Sequence, residues 1–258
     1  MKVVLFCGGQ GMRLRDYSQD LPKPLVELGS RPILWHLMKY YAHFGHREFI
    51  LCLGHGATAI KNYFVKYDEY ISNDFVLSDG GRKIELFHND LESWRITFVD
   101  TGLNSTIGQR LRLVGPYLDG EDAFLANYAD GLSDLDLQRY LEYFRSQGKI
   151  ACFLSVAAPH SFHIVDADES NHVRRLEAVG RSVVRINGGF FALRGEIFDY
   201  LREGEDLVLE PFDRLIQQRQ LLAYPYDGFW RNMDTFKDKQ ALDDLLARGD
   251  APWQVWKR

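Results

Sequence analysis

Apolar positions along this chain fall into two kinds of block. In VVLFC (3–7), EFILCL (48–53), RITFVD (95–100), AFLANYAD (123–130) and IACFLSV (150–156) they crowd together over a few residues. In PILWHLMKYYAHFG, GATAIKNYFVKY and LDLQRYLEYFRSQG they return every three or four positions. Short crowded runs suit strands covered on both faces, and the longer period suits helices lying against them. Their alternation predicts βαβ units and a mostly parallel sheet. Two stretches break the rhythm. NDFVLSDGGRKIELFHND reads as a β-hairpin about SDGGR, and SFHIVDADESNHVRRLE as another with its turn at Asp166 to Asn171, giving excursions at about 71–92 and 160–178. The last part predicts a strand INGGFFAL, a helix from about Glu210 to Gln218, a strand LLAYPY, and a helix through DTFKDKQALDDLLARG that Gly249 stops. With no repeat, linker or low-complexity tract, the expectation is one α/β domain over 1–258 with a mixed, mainly parallel sheet, flanking helices and appended β-hairpins.

Composition narrows the function classes. A chain of 258 residues with 46% hydrophobic content buries a large core. A net charge of −5 leaves no basic footprint for a polyanionic backbone, so no nucleic-acid partner is expected and any anionic ligand must be met by local cations. No stretch of about 18 apolar residues is present to cross a bilayer, and the N-terminal apolar run is too short for a signal peptide. The expected location is cytoplasmic, with no membrane partner. Cys7, Cys52 and Cys152 are odd in number and lie in separate strand-like runs, which predicts buried reduced thiols.

Candidate chemistry begins at LFCGGQGMRL (5–14), where Gly8, Gly9 and Gly11 let backbone N–H groups approach a phosphate with no Cβ in the way. A dinucleotide fingerprint would need a third glycine where Leu14 stands and an acidic residue where EFILCL runs into Gly54. A Walker loop would need Lys-Ser or Lys-Thr after the glycines. What remains is a glycine turn carrying Arg13 and Arg15, then Lys23 between Pro22 and Pro24. Two flanking prolines fix the backbone and aim the ammonium. Asp130 follows a buried strand, where ligands collect in α/β folds, while Asp234 precedes a helix and reads equally as an N-cap. Asp134 and Asp136 read as the cap and first turn of the LDLQRYLEYF helix.

GGQGMRL (8–14) followed by PKPL (22–25) resembles the opening signature of the sugar nucleotidyltransferases, G-G-x-G-[ST]-R-L…P-K-P. PILWHLMK (32–39), VDTG (99–102), YADG (128–131), INGGFF (186–191), GFWRNMDT (228–235) and APWQVW (251–256) are similar, in order and spacing, to the bacterial glucose-1-phosphate cytidylyltransferases over essentially the whole chain. The resemblance implies a Rossmann-like sheet of the nucleotide-diphospho-sugar transferase type, CTP and a sugar 1-phosphate as substrates, Mg²⁺, and a homo-oligomer, a hexamer in that family. It implies that Arg13 and Lys23 are catalytic and that Gly8, Gly9, Gly11, Met12, Arg13, Thr101, Gly102, Ser105, Arg110 and Asp130 meet the nucleotide. Asp130 and Asp234 would hold the metal. Lys23, Asn187, Gly188, Glu210 and Trp230 would meet the sugar phosphate.

Three departures bear on the substrate. Where the relatives carry an E-K-P triplet this chain reads Glu177, Ala178, Val179, so a phosphate-binding lysine is gone. Losing such a charge-assisted bond costs roughly 1.5–3 kcal/mol, and Arg175, Arg181 and Arg185 are the candidate replacements. His163 stands where the relatives have glycine, and Met12 where they have threonine or serine. The expectation is retained nucleotidyl transfer with an acceptor other than glucose 1-phosphate. The alternatives are the same chemistry with GTP, UTP or dTTP, a non-sugar phosphate acceptor, or a non-catalytic nucleotide-binding homologue.

Overall fold

A computed structural model describes residues 1–9, 21–91, 93–158, 163–178 and 184–257. Its centre is an eight-stranded sheet: β1 (Val3–Phe6), β2 (Glu48–Leu53), β3 (Arg95–Asp100), β4 (Ala123–Tyr128), β5 (Ala151–Ala157), β6 (Arg185–Asn187), β7 (Phe191–Arg194) and β8 (Leu221–Tyr226). Across the sheet the order is β8, β5, then β6 with β7, then β4, β1, β2 and β3. All neighbours pair in parallel except β6 and β7, which run against β5, and β7 also against β4. The crowded apolar runs explain the position of β1 and β2, whose side chains feed two cores, one on each face.

α1 (Ile33–His43), α2 (Ala57–Val65), α4 (Leu137–Gln147) and α6 (Phe236–Ala247) contribute to one face, α3 (Ile107–Val114) and α5 (Glu210–Gln217) to the other. α3 lies outside the helices the apolar period predicted. Its sequence signal is a capping box: Thr106 Oγ1 accepts from Gln109 N while the Gln109 side chain accepts from Thr106 N. Asp136 caps α4, accepting from Arg139 N at 3.2 Å. Asp134 does not join it: one of its oxygens accepts from the Tyr226 hydroxyl and from Phe229 N, which fixes the 226–229 loop. α6 ends where expected, with Gly249 at φ 72°.

β6 and β7 are one strand interrupted at Gly188, Gly189 and Phe190. Gly189 has φ 73°, and a Cβ there would lie 2.4 Å from Asn127 Oδ1. That oxygen accepts from Phe190 N at 3.0 Å, and Asn127 Nδ2 donates to the Tyr41 hydroxyl. Phe190 tolerates φ 50° because its ring is packed between Tyr40 and Tyr41. Both expected hairpins are present, Phe75–Ser78 with Lys83–Leu86 and His163–Ala167 with Val173–Ala178. The cysteines are free and buried, and burial pushes the Cys152 thiol up to about 11. Among the described residues no helix is long and apolar enough to cross a membrane.

Candidate active site

The C-terminal ends of β1 to β4 meet along one edge of the sheet, where ligands collect in this architecture. The cleft there has a volume of about 760 Å³ and is lined by Gly8, Gly9, Lys23, Leu103 to Ile107, Arg110, Tyr128, Asp130, Asp206 and Asp234, among others. β1 delivers Gly8 and Gly9, β3 delivers the 101–106 loop, and β4 delivers Asp130.

Beneath the glycines lies Arg110 from α3, only 3% exposed. Its guanidinium donates to the carbonyls of Leu53, Gly8 and Leu103 and to Thr101 Oγ1, joining the ends of three strands. A Cβ on Gly8 would lie 2.1 Å from Arg110 Nη1, so the glycine is needed for this approach as much as for a ligand. Burial lowers the arginine's pKa from its ordinary value, and among the described residues no carboxylate forms an ion pair with it. A buried cation under Gly8 makes the floor of the cleft attractive to an anion.

Of the other expected nucleotide residues, Ser105 lines the cleft and donates to the Thr101 carbonyl. Thr101 lies deeper, 2% exposed, donating its hydroxyl to Leu53 O at 2.7 Å. Gly102, at φ 85°, turns the chain and donates its N–H to Asp100 Oδ1. Gly11, Met12, Arg13, Arg15, Val179 and Arg181 lie outside the described residues.

Lys23 sits on the short turn that Pro22 and Pro24 frame; Pro22 O accepts from Leu25 N at 2.8 Å. Its ammonium lies between two carboxylates, donating to Asp130 Oδ2 and to Asp234 Oδ1, the latter at 2.5 Å. Burial works to lower the lysine's pKa, but the two ion pairs outweigh it and hold the pKa above the ordinary value. The carboxylates come from positions 104 residues apart. A two-stranded ribbon joins them: Gly131–Ser133 pairs antiparallel with Trp230–Asn232, Gly131 opposite Asn232, and Met233 N donates to Asp130 O. This register sets Asp234 beside Asp130. Asp234 is not the cap of α6, because Thr235 takes that place, accepting from Asp238 N. Asn232 Nδ2 instead orients Asp234 through Oδ2.

Of the expected sugar-side residues, Asn187, Gly188 and Trp230 gather around the ribbon, and Glu210 and Arg185 do not. The Trp230 indole donates to Gly188 O at 2.8 Å, and Asn187 Oδ1 accepts from Gly189 N. Tyr128 connects them to the cleft: Asn187 bonds its hydroxyl, while burial and the nearby Asp206 and Asp130 raise its pKa to about 12. Glu210 is exposed and accepts from Asp206 N at 3.3 Å, which ties it to the α3 side of the cleft. Arg185 is engaged at the sheet edge, donating to Ser155 Oγ, Ser155 O, Tyr226 O and Asp227. Arg175 pairs with Glu177 at 3.2 Å. His163 and Ala178, two of the departures, stand directly opposite each other in the second hairpin. Asp206, Asn104 and Tyr128 were not singled out from the sequence; only Tyr128 carried a signal, as part of YADG.

The nucleotidyl transferase family profile matches residues 2–238. A glucose-1-phosphate cytidylyltransferase of Salmonella typhi is 37% identical over 259 residues, covering all of both chains. A mannose-1-phosphate guanyltransferase of Candida albicans is 25% identical, covering 92% of this chain and 62% of its own length. Among solved structures, a UTP-bound UGPase from Acinetobacter baumannii superposes with a TM-score of 0.67 at 20% identity, covering 96% of this chain and 93% of that one. With full-length likeness added to a glycine turn, an aimed lysine and paired aspartates at one sheet edge, the chain belongs to the nucleotidyl transferase family.

Proposed function

We propose that the chain transfers CMP from CTP to a sugar 1-phosphate, forming a nucleotide-sugar and releasing pyrophosphate. The observation that carries this reading is Lys23, held between Asp130 and Asp234 in the cleft that Gly8 and Gly9 also line. In such a transfer a phosphate oxygen of the acceptor attacks the α-phosphorus in line, and the bond to the β-phosphate oxygen breaks. The protein's task is to bring two polyanions together and to balance charge as it shifts to the leaving pyrophosphate. The N–H groups of Gly8 and Gly9, over the buried Arg110, hold the triphosphate. Lys23 contacts the α-phosphate and the incoming phosphate, and the two aspartates keep its ammonium charged and directed.

Mg²⁺ belongs to this proposal. Asp130 and Asp234 would hold it with hard carboxylate oxygens, the donor set Mg²⁺ takes together with phosphate oxygens and water, at the point the Lys23 ammonium marks in the free chain, and the ammonium would then turn to the phosphates. When bound, the ion supplies charge neutralisation on the phosphates. The acceptor proposed differs from glucose 1-phosphate, on the strength of Ala178 in place of a lysine and His163 in place of a glycine. A homo-oligomer is also proposed, supported by the exposed Leu77, Ile84 and Phe87 on and beside the first hairpin.

The test is a matrix of CTP, UTP, GTP and dTTP against sugar 1-phosphates, read as pyrophosphate release with Mg²⁺. Turnover is expected with CTP and at least one sugar 1-phosphate. Nucleotide binding in a thermal-shift assay with no turnover for any pair would instead make the chain a binding module.

A further inference from the structure

We propose that Asp206 selects the nucleoside, its carboxylate accepting a hydrogen bond from a donor on the nucleoside half of the substrate. The donor is the exocyclic amino group of the base or a ribose hydroxyl. The inference rests on the nucleotide-binding reading of the cleft.

Asp206 lines the cleft at the α3 side, and its loop is fixed there from several directions. The Glu205 carboxylate is gripped by the Arg214 guanidinium, and Arg202 N donates to it. Thr106 Oγ1 donates to Glu205 O at 2.6 Å. Gly108 leaves room for the approach, since a Cβ there would lie 2.6 Å from that same oxygen. Asp206 N donates to Glu210 Oε2, and the Asp206 carboxylate accepts from Val208 N at 3.2 Å and, weakly, from Ile107 N at 3.4 Å. A carboxylate offers about four lone-pair directions, so these two backbone bonds leave acceptor capacity facing the cleft. Among the described residues it forms no ion pair.

A carboxylate beside a triphosphate would repel it. The cation and the glycine N–H groups of the cleft belong to Lys23, Gly8 and Gly9 on the segments after β1, while Asp206 is carried on a separate loop that packs on the start of α3. Asp206 therefore faces the uncharged part of a bound nucleotide. There an acceptor-only group rewards an N–H or O–H and repels a carbonyl. Cytosine presents an amino group where uracil presents an oxygen, and ribose presents a 2′-hydroxyl that deoxyribose lacks.

The experiment compares wild type and D206N with CTP, UTP and dCTP. It reads kcat/KM with the best sugar 1-phosphate and, independently of turnover, Kd by calorimetry. The CTP:UTP or the CTP:dCTP ratio is expected to fall about five-fold or more in D206N, the effect of exchanging a charged acceptor for a neutral amide oxygen. A fall in the first ratio assigns the amino group, and a fall in the second assigns the hydroxyl. If both ratios stay within about two-fold of wild type in a folded variant, Asp206 is only a turn and helix-end acceptor and the proposal is overturned. D206S, which keeps a turn acceptor, serves where D206N does not fold, with the same criteria. Absence of turnover in wild type would sink the proposed transfer while leaving the Kd ratios to decide this inference.

Discussion

At the residue scale the centre is one ammonium between two carboxylates. Lys23→Met removes the cation and leaves Asp130 and Asp234 facing each other, so kcat/KM is expected to fall by about 10²–10³ or more. Lys23→Arg is expected to recover little, because a planar fork does not fit between two oxygens set for a compact ammonium. Steady-state kinetics on both variants, with circular dichroism as a folding control, checks this; wild-type rates in Lys23→Met would remove the lysine from the mechanism. These three residues were legible because each sat in a short motif whose backbone restrains it: prolines around Lys23, a strand end before Asp130, a helix start after Asp234. Asp206 was not legible. It lies in no motif, and its place at the cleft depends on a loop pressed against α3 by Thr106 and Gly108. Arg185 read as a spare cation because nothing in sequence shows that Ser155, Tyr226 and Asp227 surround it.

At the element scale, the crowded apolar runs located the strands, but the short ribbon that joins Asp130 to Asp234 is three residues a side and too brief to form such a run. α3 escaped for a related reason, being eight residues with two arginines and a glutamine, and only its capping box announced it. The C-terminal APWQVW segment shows what an element boundary can hide. Trp253 is fully buried and donates its indole N–H toward His36 Nδ1 at 3.4 Å, while the other ring nitrogen bonds Leu28 O at 3.0 Å. This arrangement needs a neutral imidazole with the proton on Nε2. Burial lowers the His36 pKa from 6.5 to about 4. Below pH 6.5 the unfolded chain takes up a proton that the native ring refuses, so folding stability is expected to fall as pH drops from about 6.5 toward 4. The loss reaches about 3 kcal/mol from this one group. Denaturant titrations across that window check it. His36→Phe is expected to be less stable at pH 7 but to show a flatter slope, and an unchanged slope would mean another group titrates.

At the scale of the whole molecule, the α/β class and both hairpins followed from apolar periods and turn residues, since those are local. The strand order did not: β7 enters antiparallel between β4 and β5, a pairing set by contacts between distant segments. The first hairpin has consequences beyond the monomer. A two-stranded hairpin is marginal alone, and Leu77 and Phe87 are 58% and 61% exposed. Light scattering is expected to give a mass that is a multiple of the 29.9 kDa chain, and a Leu77→Glu, Phe87→Glu variant to shift it toward monomer. A monomeric wild type would overturn the oligomer.

The central claim is that the α-phosphate of CTP moves to a phosphorylated acceptor. Parallel reactions with α-³²P- and γ-³²P-labelled CTP, a sugar 1-phosphate and Mg²⁺ test it most directly. The α label is expected in a nucleotide-sugar and the γ label in pyrophosphate, both lost in Asp130→Asn. The γ label appearing in inorganic phosphate, or the α label remaining in CTP with every acceptor, would contradict it.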